Sequence, residues 1–165
     1  MRTILHITPH MGGGVGKALS GIASYEAEHG SGWQHRILLL EPPEKENFLA
    51  ICCAKGVDVH VARDMEEIRR EMQSADIVQI EWWHHPLMAD FLARFPRIRT
   101  RIVIWSHISG CYYPFLPFAL LQIPEAFLFT SPYSLENPFW TEKERSWGEE
   151  NTDVVYIVND INFCT

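Results

Sequence analysis

Three absences narrow what this 165-residue chain can be. It has no excess of positive charge: 14 Lys and Arg stand against 21 Asp and Glu, a formal net charge of −7. That leaves no electrostatic footprint for a nucleic-acid backbone, and no polynucleotide partner is expected. It has no disulfide framework. Of its four cysteines, Cys52 and Cys53 are neighbours, and Cys111 and Cys164 are scattered; a reducing cytoplasm is the expected compartment. It also has no long hydrophobic run. The longest apolar stretch, Cys111 to Pro124, is crossed by prolines and falls short of the roughly 20 residues a spanning helix needs. Nothing in the first residues reads as a signal peptide, because Met1-Arg2 leads into a brief apolar segment that meets Pro9 with no small-residue cleavage site.

What is present suffices for a core. With 47% hydrophobic and 12% aromatic residues, the chain is expected to bury one domain. Thr3 to Thr8 is a β-branched-rich run closed by Pro9 and reads as a buried strand. After a glycine cluster, Val15, Leu19, Ile22, Ala23 and Ala27 recur at helical spacing as far as Gly30, a residue suited to a helix end. Strands follow at His35 to Leu40, Val57 to Ala62, Ala75 to Ile80, Arg101 to Trp105, Ala126 to Thr130 and Val154 to Val158. Between them lie helices at Glu44 to Lys55, from the N-cap Asp64 (with Glu67 as capping-box partner) to about Gln73, and from Pro86 to Phe95. Strands alternating with helices predict a doubly wound α/β domain, mostly parallel, with helices on both faces of the sheet. Tyr112 to Pro124 and Asn137 to Asp153 are the least regular parts, and the charged run "EKERSWGEE" within the second reads as a solvated surface. There is no internal repeat, low-complexity tract or linker.

In such a fold ligands bind at the carboxyl ends of the strands. The cluster Gly12-Gly13-Gly14-Val15-Gly16-Lys17 lies there. It is not a Walker loop, since Met11 stands where the first glycine belongs and Ala18 where the magnesium-binding hydroxyl belongs. Nor is it a dinucleotide fingerprint, which needs glycine or alanine where Lys17 stands. What remains is a main chain free to approach a ligand and N–H groups at a helix start, which favour an anion; the plainer reading is a tight turn that binds nothing. Of eight histidines, His10, His84, His85 and His107 all follow predicted strands and should share one rim, where they would serve as hydrogen-bond partners or proton carriers. With Glu81, Asp90 or Cys111 they offer metal-ligating side chains, but the adjacent His84-His85 lacks one-face helical spacing, and no metal is expected. Cys111 close to His107 also suggests a thiol nucleophile, against the plainer reading of a buried inert cysteine.

Taken in order, these segments resemble a family. "ILHITPHMGGGVGKALSGIA" is similar to the opening of the N-terminal domain of group 1 (family 4) glycosyltransferases of the GT-B fold: a strand, a loop with a Gly-Gly pair, a helix. "ADIVQIEWWHHPLMADFL" and "RIVIWSH" resemble that family's strands ending in histidine, and "VVYIVNDINF" its crossing into the second domain, with Val158 and Asp160 in place of proline and glycine. The resemblance implies a Rossmann-like half of a two-domain enzyme that transfers sugar from a nucleotide-sugar, a co-substrate rather than a cofactor, to a glycan or lipid-linked acceptor. Configuration would be retained, without metal.

By the same resemblance Gly12, Gly13, Gly14 and Lys17 would lie near donor phosphates or acceptor, His107 would contact the transferred sugar, and His84 and His85 would line the acceptor side. Residues 1–165 would form the acceptor-side domain. The nucleotide-sugar domain with its paired glutamates would be absent, and the isolated chain is expected to have little or no transferase activity. Tyr112 to Leu121 would face the interdomain cleft, a lipid-linked acceptor or the inner face of a membrane. Two other readings stay open: a non-catalytic α/β module holding a phosphorylated small molecule on the glycine loop, and a metal-dependent hydrolase built on the rim histidines.

Overall fold

The computed structural model describes residues 2–43 and 45–157. Seven parallel strands form one sheet in the order β3-β2-β1-β4-β5-β6-β7, so strand order reverses between β1 and β4. They are β1 (Arg2–Thr8), β2 (Trp33–Leu39), β3 (Asp58–Val61), β4 (Ile77–Trp82), β5 (Ile102–Ser106), β6 (Ala126–Phe129) and β7 (Thr152–Val154). The helices are α1 (Gly13–His29), α2 (Asn47–Ala54), α3 (Met65–Gln73), α4 (Pro86–Ala93) and α5 (Glu142–Asn151). This is the doubly wound α/β architecture that the alternating pattern predicts.

Side-chain alternation divides the core into two layers. Ile37 and Leu39 of β2 pack with Val15, Leu19 and Ala23 of α1 and Cys52 of α2. Leu5, Ile7, Leu38, Val78, Ile80 and Ile104 pack on the other face, with Ile68 and Met72 of α3 and Met88 and Phe91 of α4. The caps agree with the sequence. Gly30 ends α1 at φ 62°, and its N–H donates to the Glu26 carbonyl. The Asp64 carboxylate accepts from the Glu67 N–H, while the Glu67 carboxylate reaches back to the N–H of Arg63 rather than of Asp64. Pro86 takes the first position of α4, behind a His85 ring that accepts the Leu87 N–H.

Some segments depart from the sequence expectation. α2 starts at Asn47 rather than Glu44, shortening the helix to eight residues. The charged run 142–150 is a helix, because Thr141 and Glu144 close a full capping box in front of it. β7 then begins at once and pairs with β6 over Thr152–Val154, so the last strand lies earlier than Val154 to Val158. The crossing segment with Val158 and Asp160 falls outside the described residues. The Tyr112 to Pro124 stretch splits: Leu116, Leu120 and Leu121 enter the core, whereas Tyr112 and Tyr113 stay exposed. Buried Asn137 holds the stretch by donating to the carbonyls of Gly110 (3.1 Å) and Leu116 (3.4 Å), and the Trp140 indole N–H donates to Leu116 as well (3.1 Å). No helix among the described residues is long and apolar enough to cross a membrane.

Candidate functional site

Three of the four rim histidines, His10, His85 and His107, gather at the carboxyl ends of the strands. His107 extends β5 by one residue, its N–H donating to the Trp82 carbonyl at 2.9 Å. His10 follows β1, where the Thr8 hydroxyl donates to its carbonyl and its ring Nδ1 accepts the Gly12 N–H at 2.9 Å. A cavity of about 430 Å³ opens between them, lined by His10, Gly12, Gly13, Gly14, Val15, Lys45, Trp83, His107 and Ile108. Of the residues singled out from sequence, His10, His107 and the three glycines line it. Lys17 is exposed on α1 outside the lining, and Lys45, before α2, supplies the cation instead. His84 is also outside: its ring stands edge-on to Trp82, and burial holds it below its ordinary pKa. His85 sits beside the cavity, tilted against Trp83.

The glycines divide their work. A Cβ on Gly12 would strike the His10 ring at 2.7 Å, so Gly12 lets that ring fold over the loop. Gly13 has φ +55°, a conformation that side chains resist. Gly16 lets α1 approach the Met11 carbonyl and the Phe48 ring of α2. Gly14 alone answers none of these needs: a Cβ there would meet nothing within 4 Å, and the position is exposed to the cavity. No side chain caps the start of α1, which leaves the first-turn N–H groups of Gly13, Gly14 and Val15 without helical acceptors.

Beneath the rim lies a buried polar seam that the sequence pattern marks only as interruptions of apolar strands. His6 in "ILHIT" and Gln79 and Glu81 in "IVQIEW" occupy the alternate positions to core residues, and at period two in strands covered on both faces a polar residue calls for a partner. Glu81 is fully buried. Its Oε1 accepts from His6 Nδ1 (2.7 Å) and from the Gln79 amide (2.8 Å), and its Oε2 accepts from His107 Nε2 (2.6 Å). His6 Nε2 in turn lies 2.8 Å from His35 Nδ1 on β2. Burial, the largest influence on Glu81, pushes its carboxyl up, but the hydrogen bonds and charges of His107 and His6 outweigh it and hold the group at about 2. Burial, then the charge of His6, draws His35 down to about 4. Among the described residues, His107 keeps one polar atom without a partner, its buried Nδ1.

A second cluster stands at the mouth. Glu41 Oε1 lies 3.3 Å from His85 Nε2 and 3.9 Å from His10 Nε2, and the three groups are close enough to hold a cation. Lone-pair accounting opposes that use. Nδ1 of His10 accepts the Gly12 N–H and Nδ1 of His85 the Leu87 N–H (3.3 Å), so each neutral ring carries its hydrogen on Nε2, toward Glu41. Ligation through Nε2 would require both rings to switch tautomer and give up those backbone bonds. Cys111 is similarly occupied. Its buried thiol lies against the carbonyls of Ser109 (3.7 Å) and Tyr133 (3.4 Å) rather than His107, and burial raises its pKa, so it is not an activated nucleophile.

No family model matches the chain, and no curated protein matches it. Its fold matches solved glycosyltransferase structures. HepE of Anabaena, solved in complex with UDP and glucose, superposes over 98% of this chain with a TM-score of 0.60 at 15% identity. A glycosyltransferase of Rickettsia africae superposes over 94% with a TM-score of 0.59 at 14% identity. The chain spans 46% and 42% of those two proteins' lengths. At these identities the likeness establishes a shared Rossmann-like α/β fold.

Proposed function

We propose that this chain forms the acceptor-side half of a glycosyl-transfer site, acting on a nucleotide-sugar with retention of configuration and without a metal ion. The observation that carries the reading is a single cavity faced both by the uncapped N–H groups of a glycine-rich helix start and by His107. Such N–H groups suit phosphate oxygens, and Lys45 adds a positive charge beside them. In a transfer reaction negative charge grows on the departing diphosphate. Fixed N–H dipoles and a cation stabilise that charge without a protein nucleophile, which fits a site with no activated thiol. His107 pairs with the sugar, and His10 and His85 stand at the mouth where an acceptor enters. The HepE complex with UDP and glucose supports the choice of ligand, through the shared fold.

Gly14 gives the direct test. Alanine there strains nothing in the fold, and a helical glycine-to-alanine change is neutral or stabilising by up to about 1 kcal/mol. Gly14→Ala is therefore expected to keep or raise the melting temperature while weakening UDP-glucose binding about tenfold, read by titration calorimetry. In the unsubstituted chain UDP-glucose is expected to shift the amide resonances of Gly13, Gly14 and Val15. Amides that stay unmoved at saturating ligand would overturn the reading.

The metal-dependent hydrolase alternative makes the opposite forecast for Glu41. Elemental analysis is expected to find no stoichiometric zinc, and added zinc to leave the His10 and His85 ring resonances in place. One tightly held zinc per chain, lost in Glu41→Gln, would favour the hydrolase.

A further inference from the structure

We propose that Glu81 is the positioning residue for His107: its carboxylate, held by His6 and Gln79, fixes His107 with its hydrogen on Nε2, so that Nδ1 meets the ligand as a hydrogen-bond acceptor. For a neutral His107 ring the hydrogen-bond geometry decides the tautomer. An ionised carboxylate only accepts, so each nitrogen facing it must donate. Glu81 turns one oxygen to His6 and Gln79 and the other to His107 at 2.6 Å, and no part of the residue reaches solvent. The His107 side chain is itself 4% exposed, and its Nδ1 is buried with no protein partner among the described residues, in a ring that lines the cavity. A buried acceptor kept unpaired by the fold awaits a donor from outside it. The matching ligand group is a hydroxyl, which the sugar of a nucleotide-sugar offers and a bare nucleoside diphosphate lacks at that place; in this respect the inference rests on the glycosyl-transfer reading.

The same constraint passes down the seam. In its neutral form His6, donating from Nδ1 to Glu81, has a lone pair at Nε2 and takes the hydrogen of His35 Nδ1. Each ring's orientation is therefore set by the next, from β2 through β1 and β4 to the rim of β5. Trp105 flanks His107 at 4.6 Å between ring centroids and limits its rotation from the side.

The test is nitrogen-15 spectroscopy of the histidine rings in the whole chain, with His107 assigned by loss of its signals in His107→Gln. Near neutral pH, His107 is expected to show a protonated Nε2 and an unprotonated Nδ1. In Glu81→Gln, whose amide replaces one carboxylate oxygen by an NH2 donor and keeps a carbonyl oxygen, a population with the hydrogen on Nδ1 is expected to appear; Glu81→Asp should restore the original form. A His107 that carries a hydrogen on Nδ1 in the unsubstituted chain near neutral pH, as the other tautomer or as the imidazolium, overturns the proposal, even if Glu81→Gln fails to fold. Binding supplies the second readout: Glu81→Gln is expected to weaken UDP-glucose at least about tenfold and UDP less than about threefold. Equal losses for both ligands would reduce Glu81 to a structural role and overturn the proposal. Should the unsubstituted chain bind neither ligand, the proposed contact of this half with the nucleotide-sugar fails while the ring spectra still decide the tautomer.

Discussion

Glu81→Ala is expected to lower the melting temperature by about 10 °C, followed by circular dichroism. Three donors, on His6, Gln79 and His107, share this one buried carboxylate and would lose it together. Breaking a buried charged network from one side typically costs about 3–5 kcal/mol, and a chain of this size loses about 2–4 °C per kcal/mol. A loss below about 3 °C would show that the imidazoles find other partners. The carboxylate also shapes the response to acid. Its pKa is about 2 in the folded chain against an ordinary 4.5, so its stabilisation is intact above pH 4.5 and is lost as the pH falls toward 2. His35 acts at higher pH. With its pKa drawn from 6.5 to about 4, the unfolded chain takes up a proton that the folded chain refuses, and stability declines between those values as the pH falls. Unsubstituted protein should thus weaken in two stages. Glu81→Ala should lack the lower one, which acid titration of the melting temperature would reveal.

The second large effect is expected at Gly16, two positions from the tolerant Gly14. Alanine at 16 places its Cβ on the Met11 carbonyl oxygen and within 2.6 Å of the Phe48 ring. The ring can turn, but the carbonyl belongs to the main chain that forms the glycine loop, so relief requires α1 to move away from the sheet. Overpacking of this kind costs typically about 1–3 kcal/mol, and a backbone clash lies at the upper end. Gly16→Ala is accordingly expected to melt about 6–12 °C lower than the unsubstituted chain. It should bind ligand poorly as well, because the same shift displaces Gly13 and Gly14. Gly16→Ala and Gly14→Ala with equal melting temperatures would refute the assignment of separate jobs to these glycines.

Much of the fold could be read locally, because its signals are local. Pro9 and the glycine run punctuate β1 and α1, Gly30 ends α1 with a positive φ, and Pro86 opens α4. The capping box at Thr141 and Glu144 was equally local, but the high charge of the residues between and after them gave no apolar stripe to confirm a helix. The site was legible only in part. His107 and the glycines follow from the rule that ligands gather at the carboxyl ends of strands, whereas Lys45 enters the cavity because of the path of the loop before α2, which no pattern specifies. His6 and Glu81 are 75 residues apart, and their contact depends on which strands become neighbours. The polar positions were visible; their pairing required the sheet order.

That separation bears on how the chain assembles. β1 can pair with β2 as soon as the first third of the chain is available, but β1 paired only in that way leaves His6 facing an apolar layer without its carboxylate. Only when β4 docks does the ring gain its partner, and only with β5 beside β4 is the second oxygen of Glu81 satisfied. Half-built sheets are therefore frustrated at their centre, and the seam acts as a checkpoint that favours complete assembly over partial order.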